Sequence, residues 1–422
     1  MDLKGKGFLV LFTALLLAVP ILSLAPLHAD GGRPIFQASK EILTGFDRLN
    51  VQKPVDMQVG PDGRVFILYQ TMKAYSWDVF LVYSDDDGVT WSDPVRVDDV
   101  LDDGNSSNDD TNQMNPQMAI GQDGTVFVVW EDWRNWLDDV FSRPVDIRIA
   151  SSADGSLFGP SRVITPSKSI NTWDAFTPDI SINTDGRLFC VWADELEAGA
   201  YKNIWSSYST DDGVTWSYPM MINTDGKDFR NHFFPRCAMF GDNVYVAWHD
   251  KRNDTMGTKP FLAISRDGGV SFQEEFPLST DSQVGAHREF PVPVVDGSGN
   301  LYVTWMDDRT GADEVFFTRS EDDGVVFTQD NRVFIQPDEV GDFDPFLAAL
   351  GDGKLGLVWE REVTYSKGVE RDVYYINSSD GGRTWAPALR VDDTDRFTED
   401  RTDQDLEDLA AYWASREKPK PE

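Results

Sequence analysis

Short apolar runs alternate along the chain with clusters of Gly, Asp, Asn and Pro, and the runs lack the 3.6-residue period of a helix. Six of the runs end in an aromatic residue: Val65–Tyr69, Val126–Trp130, Leu188–Trp192, Val244–Trp248, Leu301–Trp305 and Leu355–Trp359. A turn such as Pro61-Asp62-Gly63 or Gln122-Asp123-Gly124 precedes each run, and before the turn stands a shorter apolar stretch, usually led by Pro, as in Pro116-Gln117-Met118-Ala119-Ile120. A third run follows each aromatic and leads into a polar octet. Ser84-Asp85-Asp86-Asp87-Gly88-Val89-Thr90-Trp91 returns at 209–216, 265–272 and 378–385. It is degraded at 320–327, and at 151–158 Ala153 stands where the Asp is expected. The octet glycines 88, 155, 213, 269, 324 and 382 are 67, 58, 56, 55 and 58 residues apart. A fourth short run comes after each octet, for example Pro94-Val95-Arg96-Val97. Four short strands repeated six times predict an all-β fold, a six-bladed β-propeller of four-stranded antiparallel blades, and exclude a helical solenoid.

The ends of the chain differ from this frame. Lys4 and Lys6 precede an apolar run from Phe8 to Leu27, and Leu27-His28-Ala29 offers a small residue before Asp30, the pattern of a secretory signal over residues 1–29. The propeller is expected over 30–395. Phe36–Thr44 reads like one more fourth strand, which would pair with the last blade and help to close the ring. The remainder, 396–422, is a charged tail in which Leu406, Leu409, Ala410 and Trp413 predict one short C-terminal helix.

Composition narrows the function classes. With 38 Lys+Arg against 72 Asp+Glu the formal charge is −34, which repels phosphate backbones and disfavours a nucleic-acid partner. After signal cleavage no stretch remains that would span a membrane. Two cysteines, Cys190 and Cys237, cannot form a disulfide framework and read as buried thiols. The Asp- and Asn-rich stretch from Asp98 to Asn115 leaves calcium possible, though it matches no ordered calcium-loop spacing. No other cofactor is expected.

The octet Ser-x-Asp-x-Gly-x-Thr-Trp in a sixfold frame resembles the Asp-box repeat of the sialidase (neuraminidase) superfamily, over roughly residues 35–395. The resemblance implies a propeller whose octets occupy peripheral turns, and a glycan as substrate or ligand. It also implies three arginines that grip a carboxylate, a Tyr nucleophile assisted by Glu, and an acidic Asp. Two positions depart from that pattern. Val51-Gln52-Lys53-Pro54 stands where the family reads Phe/Tyr-Arg-Ile-Pro, and Asp342-Phe343-Asp344-Pro345 puts Phe343 where the phenol is expected.

Candidate site residues follow from the alternation of strands. The loops after the second strands and the segments entering the first strands share one rim, opposite the octets. Arg134, Arg252 and Arg309 recur there in Trp-x-Asp-x-Arg loops, as a guanidinium ring for a carboxylate or as one scaffold pair per blade. His232, His249 and His287 fall on the same rim with Arg230, Arg236, Arg288, Glu289 and Asp250; Trp173, and Trp133 with Trp136 in an enlarged loop of the second blade, supply aromatic platforms. The expected catalytic set is Asp250, His232, His287 and Glu289. The expected substrate-binding set is Arg134, Arg252, Arg309, Arg288, Arg230 and Trp173, with no metal. The functional expectation is an exported propeller that acts on or binds glycans. A non-catalytic extracellular propeller for a polysaccharide or protein partner, and a metal-dependent lyase or phosphatase-like propeller, are the alternatives.

Overall fold

A computed structural model describes residues 52–391, apart from 74–75, 101–111, 135–144, 166–173, 196–200, 226–230, 253–256, 282, 284, 335–340, 352 and 366–367. The expected signal segment, closing strand and C-terminal helix lie outside the described residues.

The described chain forms six four-stranded antiparallel sheets, each contiguous in sequence. The first blade is β1 (Gln52–Val59), β2 (Val65–Lys73), β3 (Ser76–Ser84) and β4 (Val95–Arg96). The second is β5 (Gln113–Ile120), β6 (Val126–Asp132), β7 (Asp146–Ser152) and β8 (Arg162–Val163). The third is β9 (Ala175–Ile182), β10 (Leu188–Glu195), β11 (Lys202–Ser209) and β12 (Met220–Met221). The fourth is β13 (His232–Phe240), β14 (Asn243–Asp250), β15 (Lys259–Ser265) and β16 (Phe276–Pro277). The fifth is β17 (Arg288–Val295), β18 (Leu301–Asp307), β19 (Glu314–Ser320) and β20 (Asn331–Arg332). The sixth is β21 (Asp342–Ala349), β22 (Leu355–Tyr365), β23 (Gly368–Ser378) and β24 (Leu389–Arg390). The first strand of each blade packs on that of the next from β1 to β21, so the inner ends of the blades meet there. The six-bladed propeller expected from the repeats is the observed fold.

Packing lies between blades. The second strands are buried on both faces, which is why their sequences are continuous apolar runs rather than alternating ones. One face of each feeds a cluster with the blade before and the other a cluster with the blade after. Leu68 and Val79 meet Val128 and Trp130, and Val191 and Ile204 meet Val246 and Trp248.

The octets form tight turns on the outer rim. In the first, Asp86 accepts the Thr90 N–H at 2.7 Å and the Thr90 hydroxyl at 2.7 Å, while Ser84 Oγ accepts the Gly88 N–H at 2.8 Å. The same bonds recur around Asp211 and Asp380. In the second blade Ser152, not Ser151, occupies the place of Ser84. The turn there is one residue shorter, with the Gly155 N–H on Ser152 Oγ. The apparent degradation is therefore a deletion within the turn. Cys190 is buried, whereas Cys237 is half-buried; both are free thiols.

The octet glycine is also where one blade touches the next. Gly269 has φ +88°, and a methyl group there would lie 2.5 Å from the Phe189 ring. Gly269→Ala is expected to destabilise the protein by at least about 2 kcal/mol, combining left-handed strain with overpacking. Gly186→Ala, at φ +81° with open space around it, carries only the backbone strain, about 1 kcal/mol. Urea unfolding of the two variants measures the difference.

Candidate functional site

The inner strands of the second to sixth blades carry the same irregularity near their starts. The register slips between Met114 and Gln117, Phe176 and Asp179, Phe233 and Arg236, Glu289 and Val292, and Phe343 and Phe346. At each slip the residue before a proline adopts left-handed backbone: Asn115 (φ 50°), Thr177 (φ 48°), Phe234 (φ 50°), Phe290 (φ 55°) and Asp344 (φ 48°). A β-bulge adds a residue and re-aims its side chain, and positive φ in a Thr or Phe is a strained state that the fold must impose. Four of these five residues line one cavity of about 430 Å³ at the mouth of the ring, spanning the second to fifth blades.

The cavity is aromatic with a few charges. Met114, Phe176, Phe233 and Glu289 come from the position before each bulge residue; Glu131, Ala193 and His249 come from the position after the buried Trp of the second strand. Lys202, Lys251 and Trp133 complete the wall. Phe234 and Phe290 have ring centroids 5.0 Å apart. The His249 imidazole sits among three rings, 5.3 Å from Phe233, 5.3 Å from Phe234 and 5.7 Å from Phe290. Burial, reinforced by Lys251, pushes the His249 pKa down to about 3, so the ring is neutral; its Nδ1 is buried with no hydrogen-bond partner. The Lys202 ammonium lies 3.6 Å from the Phe176 ring centroid, a cation–π contact. Glu131 is buried and accepts the Thr177 N–H at 2.6 Å and Asn115 Nδ2–H at 2.7 Å; burial raises its pKa against those bonds. A neutral imidazole, a carboxyl inclined to hold its proton and two lysines therefore open onto a surface of tilted and edge-on aromatic rings.

The residues expected from sequence fall mostly outside this cavity. Arg134, Arg252 and Arg309 were expected to converge on a ligand carboxylate, but each turns back onto the Asp two places before it. Arg134 Nε reaches Asp132 at 2.7 Å and Arg252 Nη2 reaches Asp250 at 2.7 Å, and Arg309 forks onto Asp307. Each also crosses a blade seam, Arg134 to Asp99 at 2.7 Å and Arg252 to Asp225 at 3.8 Å. Arg252 and Arg309 lie over the Phe261 and Phe316 rings at 3.9 and 4.1 Å. The same aspartates accept the indole N–H of Trp130, Trp248 and Trp305 at 2.9–3.0 Å, so the loops are scaffold.

His232 and Arg288 are sealed as well. His232 lies between Asp225 (3.2 Å) and Asp250 (3.0 Å) with no exposed surface, and Arg288 is fully buried against Asp281, Asp307 and the Thr258 carbonyl. His287 is about half exposed, with Nδ1 3.8 Å from Glu289. Among the described residues Asp225, His232 and Asp250 are the one His/carboxylate group with metal-ligand spacing, but Arg252 already supplies their cation. Arg230, Trp173 and Trp136 lie outside the described residues, as do residues 101–111 of the calcium candidate. Its described edge, Asp98, accepts the Val79 N–H and the Arg96 guanidinium. Of the ten residues in the two expected sets, Glu289 lines the cavity, and so does His249, noted on the rim outside those sets. Glu131, Lys202, Lys251 and the phenylalanines were missed. Of these, Glu131 carried a sequence signal: it stands between Trp and Asp in a Trp-x-Asp, a position that differs from blade to blade.

The His232 clamp has a pH signature. Burial alone would lower its pKa, but Asp225 and Asp250 outweigh burial and hold it at about 9, above the unfolded value near 6.5. The stabilisation is complete below about pH 6.5 and is lost as pH rises through about 9. Urea midpoints are expected to fall across that window in the wild type, and His232→Gln should flatten that part of the profile while lowering stability at pH 6.

No protein-family model matches the chain, and a search of curated proteins finds no relative. Solved structures do match. The NanB sialidase of Streptococcus pneumoniae, as a point mutant, aligns over 82% of this chain and 71% of its own at 11% identity and TM-score 0.54. An ulvan lyase, a polysaccharide lyase, aligns over 79% and 82% at 12% identity and TM-score 0.52. The leech intramolecular trans-sialidase aligns over 74% and 65% at 10% identity and TM-score 0.50. At such identities the likeness establishes the fold alone: the six-bladed propeller of this chain aligns with the folds of a sialidase, a polysaccharide lyase and a trans-sialidase.

Proposed function

We propose that this protein is an exported glycan-binding propeller whose site is the mouth cavity of the second to fifth blades. The observation that carries the reading is the cavity's composition: rings of Phe176, Phe233, Phe234 and Phe290 beside the His249 imidazole, whose buried Nδ1 lacks a hydrogen-bond partner, and the side chains of Lys202, Lys251 and Glu289. Sugar rings offer C–H faces that stack on aromatic surface and hydroxyls that need fixed polar partners, and such a wall supplies both. Its glycan-acting structural neighbours support the same reading.

The cavity does not resemble a sialidase centre. The described arginines of the rim are engaged by carboxylates, and Phe343 has no oxygen with which to attack an anomeric carbon. Recognition is accordingly favoured over hydrolysis of the sialidase type. One observation favours a second reading, in which the site also turns its ligand over: burial raises the pKa of Glu131, as a general acid requires.

A glycan array followed by calorimetry on retained sugars tests the proposal. Phe234→Ala and His249→Ala are each expected to weaken binding about tenfold, and Val214→Ser on the octet rim to leave it unchanged. Equal affinity in all three variants would move the site elsewhere. Release of a reporter from aryl glycosides that Glu131→Gln abolishes would establish the second reading.

A further inference from the structure

The cavity occupies a place that the neighbouring blades fill with a side chain. In the first blade Gln70, the residue after the buried aromatic, sends Oε1 to the backbone N–H of Asn115 at 2.9 Å. In the second blade Glu131 stands at the same position and sends Oε1 to the N–H of Thr177 at 2.6 Å. Both recipients precede a proline in the inner strand of the next blade, at φ 50° and 48°. In the third blade the position is Ala193, buried and without an acceptor, and the residue across the seam is Phe234, before Pro235, at φ 50° in the same register slip. Ala193 and Phe234 both line the cavity, as do Lys202 and Lys251. Lys251 has no carboxylate within 4 Å among the described residues.

We infer that the space over Ala193 is a specificity-determining subsite in which an anionic oxygen of the ligand takes the Phe234 N–H, the role that Gln70 and Glu131 perform in the two preceding blades. Glu131 shows that a carboxyl oxygen suits such a bulge. Lys251 distinguishes the third slot from the second, where Lys202 already acts on Glu131, and favours a charged acceptor over a hydroxyl. The ligand class is a saccharide bearing a carboxylate or similar anionic group, engaged by a backbone N–H and the Lys251 ammonium rather than by arginine. The inference rests on the glycan reading above.

Ala193→Gln tests it, because the new carboxamide would fill the slot from within. Wild type and variant are compared in urea unfolding without ligand, and in calorimetry with a hexuronate trisaccharide and its carboxyl-reduced counterpart. The expected result is an unchanged or raised urea midpoint, with uronate affinity reduced about tenfold or more to the level of the reduced sugar. In the wild-type background Lys251→Met should weaken the uronate and spare the reduced sugar, which keeps the test open if Ala193→Gln fails to fold. Equal affinity of wild type and Ala193→Gln for the uronate would overturn the subsite, as would equal wild-type affinity for the two sugars. Binding of neither sugar by the wild type, with retention of other glycans on an array, would overturn the subsite and leave the glycan reading standing. Retention of no glycan would overturn the reading itself.

Discussion

A buried carboxylate at the inner end of each of the last five blades holds the ring in shape. Asp132, Asp194, Asp250 and Asp307 each accept the indole N–H of the Trp two residues before, and Asp342 accepts that of Trp359 from the adjacent strand. An anion so placed is tolerable only with a cation or several donors beside it. The blades meet that need differently. Arg134 serves Asp132, Arg252 and His232 serve Asp250, Arg309 and Arg288 serve Asp307, and Arg361 approaches Asp342 at 3.9 Å. Because several of these cations reach across a seam, one group satisfies a buried charge and fixes the angle between neighbouring sheets.

That arrangement explains what the sequence could and could not reveal. Blade number, strand order and outer turns are written as a repeat with a period of fifty to seventy residues, and repeats are visible without coordinates. His232 and Arg288 drew attention as chemistry that did not repeat. Yet they are the cross-strand partners of Asp250 and Asp307, which do repeat. Pairing register makes them scaffold, and register cannot be read from one strand at a time. The cavity was obscure for the opposite reason. Its wall comes from Met114, Ala193, Phe234 and similar residues that resemble ordinary core, and only the bulges turn them toward the mouth.

The site is also an electrostatic exception. A chain with formal charge −34 presents Lys202 and Lys251 together in one aromatic recess. At physiological ionic strength fields decay over about 8 Å, so a ligand inside the recess senses the lysines more than the distant acidic surface. A ligand still in solution meets the whole molecule. On the reading proposed above, approach of an anionic ligand is opposed and its residence favoured, a combination that added salt shifts toward faster capture.

The proline after each bulge has a longer reach. Backbone shape at these points is set by the imino ring and by the slipped ladder, so the preceding side chain has little part in maintaining it. Asn, Thr, Phe, Phe and Asp occupy equivalent sockets in successive blades with φ values within a few degrees of one another. Such sockets behave as interchangeable fittings on a fixed chassis. Lineages that share the toroid can exchange what projects into the vestibule without refolding the sheets beneath, so closely matched frames can diverge in what they hold.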